Sequence, residues 1–123
     1  MTAASPAIVI VDDDEAVCDS TRFLLETYGL EVQTYQRGAD FLRDDPPTAC
    51  LIVDYQMPEL NGFELIRELQ NRGRQVPTII MITATTDASV ERRAAELGIQ
   101  IVLKKPFSNQ VLLGAIRDAV DRG

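Results

Sequence analysis

Four short apolar runs, at residues 7–11, 50–53, 78–82 and 101–103, each break off at polar side chains. Apolar character that is continuous rather than alternating means that both faces of a strand are buried, the situation of a parallel sheet covered by helices on each side. A fifth and weaker run, 31–35, has the mixed character of a strand near a sheet edge. Between the runs lie stretches with helical spacing. Residues 15–28 place Val17, Leu24, Leu25 and Tyr28 on one face before Gly29 provides a stop. Residues 37–43 make a short helix closed by Asp44, Asp45, Pro46 and Pro47, and residues 62–72 another closed by Gly73 and Pro77. Asp87 or Ser89 caps a helix that reaches Leu97 and ends at Gly98. Ser108 caps a last one, whose Leu112, Ala115, Ile116, Ala119 and Val120 form a single apolar stripe.

Five strands alternating with five helices predict an α/β fold: a doubly wound five-stranded parallel sheet with right-handed crossovers. At 123 residues the chain has the size of one domain, so residues 1–123 are read as a single unit. The net charge of -7 argues against this domain itself gripping a phosphate backbone. No apolar run approaches a membrane span, and no basic segment precedes the first apolar stretch, the first basic residue being Arg22. A cytoplasmic location without membrane contact is therefore expected. Cys18 and Cys50 lack partners at metal-binding spacing and are expected to be buried or partly buried free thiols.

Sheets of this kind gather function at the C-terminal ends of their strands. There the first run ends in Asp12, Asp13 and Asp14, the third strand in Asp54, and the fourth in Thr83; the fifth runs into Lys104, Lys105 and Pro106. Carboxylates crowded together repel unless a cation joins them, and an all-oxygen ligand set suits Mg²⁺. The backbone carbonyl of Gln56 is a further candidate ligand, in a loop held by Pro58. A lysine opposite the acids neutralises a phosphoryl oxygen, a threonine hydroxyl donates to one, and an aspartate is a competent nucleophile for acyl-phosphate formation. Metal-assisted phosphoryl chemistry follows. The plainer roles are not equal for all of these residues. Asp14 and Glu15 are read as helix-cap and first-turn acids, and Lys104 as an exposed residue on the opposite side of the strand from Lys105.

The stretches IVIVDDDEAV, LIVDYQMPELNG, IIMITA and LKKPF resemble, in order and spacing, the receiver-domain signature of two-component response regulators. The resemblance runs from Ile8 to about Val120 and implies a flavodoxin-like (CheY-like) receiver fold. It implies that Asp54 is the phosphoacceptor and that Asp12 and Asp13 bind Mg²⁺, for which Mn²⁺ or Ca²⁺ substitute. It also implies Thr83 as the switch hydroxyl, Ala84 as the small residue that admits the phosphoryl group, and Lys105 as the lysine before a cis-proline at Pro106. Positions 56 and 85, here Gln56 and Thr85, tune the phosphoryl lifetime in the family. A sensor histidine kinase is the implied partner, and the switched surface, the fourth helix with the fifth strand and fifth helix, is where a homodimer would form. The chain also resembles receivers of the FixJ type, which implies a transcriptional output acting on DNA through another domain. Val102 departs from the pattern by standing where the family has a switch aromatic.

Two other readings compete. A non-phosphorylated pseudo-receiver would lack an acceptor or a metal ligand, and none is missing. A haloacid-dehalogenase-type phosphatase would use Asp12 as nucleophile, but Ala16 stands where that motif has Thr or Val, and no acidic pair follows the lysine strand. The expected protein is a switch rather than an enzyme with an independent substrate.

Overall fold

The structure, a computed structural model, describes residues 7–73, 76–85 and 87–122. Strands and helices alternate strictly: β1 Ala7–Val11, α1 Glu15–Thr27, β2 Val32–Tyr35, α2 Gly38–Asp44, β3 Thr48–Asp54, α3 Gly62–Asn71, β4 Thr78–Thr83, α4 Ala88–Glu96, β5 Ile101–Lys104 and α5 Asn109–Arg122. The strands form one sheet in the order β2-β1-β3-β4-β5, and every pairing is parallel. The chain moves outward one way from β1 and the other way from β3, so the crevice at their C-terminal ends is the switch point at which such sheets bind ligands.

Alternation along the central strands divides the core in two. Val9, Val11, Leu51, Val53, Ile79 and Met81 face Phe41 of α2, Phe63, Leu65, Ile66 and Leu69 of α3, and Val90 and Ala94 of α4. Ile8, Ile10, Cys50, Ile52, Ile80 and Ile82 face Cys18 and Leu25 of α1 and Leu112, Ala115, Ile116 and Ala119 of α5. Both faces are covered, as the continuous apolar runs require. The weaker run is indeed the edge strand β2, half-buried along most of its length. Both cysteines are buried free thiols.

The helix ends follow local chemistry. Asp14 caps α1 by accepting from the Ala16 and Val17 amides, Asp87 caps α4 through the Ser89 amide, and Ser108 accepts from Val111 at the start of α5. Asn61 and Glu64 form a reciprocal capping box on α3, a signal the hydrophobic pattern alone does not carry. Two residues expected on buried faces are exposed. Tyr28 is 62% exposed because it occupies the C-cap of α1, where the backbone leaves helical geometry just before Gly29 turns at φ +81. Val120, at 44%, lies on the margin of its stripe in the last turns of α5. No helix among the described residues is long and apolar enough to cross a membrane.

Candidate functional site

Among the described residues, three polar side chains are buried: Asp12, Asp54 and Thr83. They lie at or just beyond the C-terminal ends of β1, β3 and β4, three strands adjacent in the sheet. Burying two carboxylates and a hydroxyl on one rim costs stability unless each has partners, so the partners reveal what the site is built to hold.

Asp12 enters the loop when its backbone N–H takes the Tyr35 carbonyl at 3.0 Å, ending the β1–β2 ladder. Its side chain then accepts from the Asp14 amide at 2.9 Å, and its carbonyl accepts from the Cys18 thiol at 3.3 Å. The thiol contact escaped the sequence reading, although Cys18 lies two turns before Leu25 on the buried face of α1. Asp54 has both oxygens engaged. Oδ1 accepts the Gln56 N–H at 2.9 Å, and Oδ2 pairs with Lys105 Nζ at 3.1 Å. Thr83 joins the same frame by its carbonyl, which accepts from the Lys105 amide at 2.8 Å, while its hydroxyl accepts from the Thr85 amide at 3.1 Å.

Backbone packing fixes where Asp54 sits. The Tyr55 amide continues the sheet by donating to Ile82, and the Gly62 amide donates to the Tyr55 carbonyl. A Cβ on Gly62 would stand 3.1 Å from both the Asp54 carbonyl and the Tyr55 Cα, tighter than ordinary contact, so glycine lets the first turn of α3 approach this closely without displacing that backbone.

Carboxylate oxygens of Asp12, Asp13 and Asp54 lie within 4.8 Å of one another. Such a set consists only of hard oxygen donors and suits a divalent cation of the Mg²⁺ type. Burial pushes the Asp12 carboxyl up to about 6; the Asp14 amide opposes this, the Asp54 charge adds to it, Lys105 opposes and Asp13 adds. Lys105 alone thus leaves the three acids short of positive charge, and the residues present fit a metal ion. Around them Asp13, Gln56 and Ala84 are exposed, which leaves the rim open to a bulky donor. The Lys105–Pro106 peptide is cis. Lys104 points outward, and Val102, partly buried, pairs with Met81 and packs on the same core cluster as Tyr55.

Comparison with known proteins bears on this geometry. The family model of the response regulator receiver domain matches residues 8–117. The transcriptional regulatory protein FixJ of Azorhizobium caulinodans is 36% identical over 115 residues, which are 92% of this chain and 54% of that protein. The response regulator protein TodT of Pseudomonas putida is 37% identical over 122 residues, 98% of this chain and 53% of its own length. The chain therefore spans about half the length of these curated relatives. Among solved structures, that of FixJ-N superposes with a TM-score of 0.85 at 30% identity, covering 97% of this chain and 96% of its own.

Proposed function

Because the chain belongs to the response regulator receiver domain family, we propose that it is a phosphoryl-accepting switch, with Asp54 as acceptor. The observation that carries this reading is the burial of Asp12, Asp54 and Thr83 on one rim with Lys105 paired to Asp54. A purely structural rim would have no use for two desolvated acids served by one lysine.

Asp12, Asp13 and Asp54 would hold the metal, together with the Gln56 carbonyl. When bound, the cation offsets the repulsion between the acids and draws charge from the group being transferred. The chain's own residues do the rest. The Gln56 N–H orients the Asp54 carboxylate. A carboxylate oxygen attacks phosphorus, the O–P bond forms, and the bond from phosphorus to the donor breaks, the leaving group keeping the electron pair. With a sensor kinase's phosphohistidine as donor, that group is an imidazole nitrogen. Lys105, already on Asp54, moves its ammonium to a phosphoryl oxygen, and the Thr83 hydroxyl donates to another; Ala84 leaves the space open. Positions 56 and 85, next to this centre, set how readily water reaches the phosphoryl group.

The unit so described is one receiver domain over residues 1–123, which acts on itself rather than turning over a substrate. A sensor histidine kinase is its partner. The relatives, a transcriptional regulatory protein and a response regulator, support an output on DNA carried by a separate domain. Dimerisation through α4, β5 and α5 would control that output. The test is intact-protein mass after incubation with acetyl phosphate and Mg²⁺. The wild type is expected to gain one phosphoryl group of ~80 Da, with no gain for Asp54→Asn or in the presence of a chelator. A wild type that gains nothing from several donors while folded would sink the phosphoacceptor reading and leave a module that signals by binding.

A further inference from the structure

Arg37 and Glu59 both stand where their own backbone suits them poorly. Arg37 occupies the N-cap of α2 in extended geometry and makes no side-chain cap bond, at a position where a short acceptor such as Ser, Asp or Asn would satisfy the first amides of the helix. Glu59 lies between Pro58 and Leu60 at φ +69, with the Leu60 N–H donating across it to the Pro58 carbonyl at 2.7 Å, a tight left-handed turn that residues with a side chain seldom adopt. What the two share is a contact. Arg37 Nη2 donates to Glu59 Oε2 at 2.8 Å and so joins the β2–α2 loop to the β3–α3 loop. Both side chains are exposed, and an exposed ion pair adds little to stability, so the pair does not by itself offset a missing cap and a strained turn. Its place is more informative than its strength.

Arg37 and Glu59 line an open cavity of about 430 Å³ together with Asp13, Met57, Pro58 and Leu60. Because Asp13 is one of the three acids grouped at the acceptor rim, this cavity borders the site. An adjoining cavity, which shares Gln36 and Arg37 with the first, is bordered by Glu15, Asp19 and Asp40. Among the described residues that line either one, Arg37 is the single basic side chain against five acids. Of these acids, Glu15 accepts from Gln36 and Asp40 pairs with Arg43. A site of this kind faces opposite demands, since the carboxylates that attract a divalent cation repel the dianionic phosphoryl group of a donor. A fixed cation beside the entry, outside the metal ligands, draws the anion in without taking the place of the metal.

We infer that Arg37, held in place by Glu59, is a specificity-determining residue that sets the charge balance on this flank of the site, admitting anionic phosphodonors at the expense of divalent-cation affinity. This rests on the proposed phosphoacceptor role of Asp54. The two partners then act with opposite sign. Without Arg37 the flank is more negative, which favours the cation and repels the donor; without Glu59 the unpaired guanidinium does the reverse. Losing both removes no net charge.

Two measurements on the whole chain test this, and the first needs no phosphorylation. Mg²⁺ binding is measured by titration calorimetry for wild type, Arg37→Gln, Glu59→Gln, the double variant and Arg37→Lys, at low ionic strength and again in concentrated KCl, with the urea midpoint as the check on folding. Arg37→Gln should bind Mg²⁺ about threefold more tightly and Glu59→Gln about threefold more weakly, with the double variant and Arg37→Lys close to wild type; KCl should shrink these differences, as it does for exposed charges. Equal affinities in all five proteins would overturn the inference. So would a loss in both single variants that KCl leaves in place, the mark of a clasp that only holds two loops together. In the second measurement, the rate of mass gain from acetyl phosphate at saturating Mg²⁺ should fall about threefold in Arg37→Gln and rise in Glu59→Gln, the reverse of the order of Mg²⁺ affinities. Rates that stay level, or that follow the Mg²⁺ affinities, would overturn the role in admitting the donor. A wild type that takes up no phosphoryl group counts against the acceptor reading instead, and the calorimetry still decides whether Arg37 sets the field at Asp13.

Discussion

Asp12 shows how a single residue sets the conditions under which the site works. Its carboxyl is pushed from 3.8 up to about 6, first by burial, so the folded protein without metal holds that proton more tightly than the unfolded chain does. The associated stability is complete below 3.8 and is lost as pH rises through about 6. The difference is worth on the order of 3 kcal/mol for so buried a group. Urea unfolding in a chelator should therefore give a larger stability at pH 5 than at pH 7.5 for wild type. Asp12→Asn, which cannot ionise, should show a flatter profile and be the more stable protein at pH 7.5. Equal profiles for the two proteins would mean that Asp12 does not carry the desolvated charge. Mg²⁺ should reverse the ranking above neutral pH, because only the wild type keeps the full set of acids, and binding to the folded state alone stabilises it.

At the scale of elements, the approach of α3 to the end of β3 is the contact on which the acceptor's position depends. The Asn61–Glu64 capping box fixes the first turn of α3, and Gly62 seats that turn against the Asp54 and Tyr55 backbone. In Gly62→Ala the new methyl would stand 2.9 Å from Met81 Cε and 3.1 Å from both backbone atoms. The methionine end can swing away, but the Asp54 carbonyl belongs to the central strand and Tyr55 follows directly on it. Overpacking there should cost ~1–3 kcal/mol and displace the carboxylate. The expected outcome is a lower urea midpoint together with slower uptake of phosphoryl from acetyl phosphate. A lower midpoint with an unchanged rate per folded molecule would show that α3 does not position Asp54.

The whole molecule is organised around β3, whose alternate residues belong to the two separate halves of the core. Leu51 packs among the residues facing α2, α3 and α4, and Ile52 among those facing α1 and α5, both almost fully buried. Leu51→Ala and Ile52→Ala should each cost ~2–5 kcal/mol. In both variants, near-ultraviolet and far-ultraviolet circular dichroism should follow one urea transition, because a shared central strand ties the halves together. Two separated transitions in either variant would show that the layers fold apart.

Much of this architecture was legible in the sequence. Runs of apolar residues without alternation specify buried strands, helical spacing specifies the covering layers, and Gly29 and Gly98 mark stops, because these are local consequences of side-chain period and backbone conformation. The rim residues Asp12, Asp13, Asp54, Thr83 and Lys105 could also be picked out, since every parallel strand delivers its last residue to the same edge. Tertiary structure decided the rest. The strand order places β1, β3 and β4 side by side, which brings Asp12 and Asp54 close enough for burial and mutual charge to act on them. Cys18 reaches the Asp12 carbonyl only through the packing of α1 on the sheet, and Tyr28 is exposed only because its helix ends there. The Thr83 hydroxyl meets the Thr85 amide just past the end of β4, a contact that the polar character of the segment does not announce. Periodicity is a property of neighbours along a chain; desolvation, pairing and the approach of one backbone to another depend on distances that only the folded chain creates.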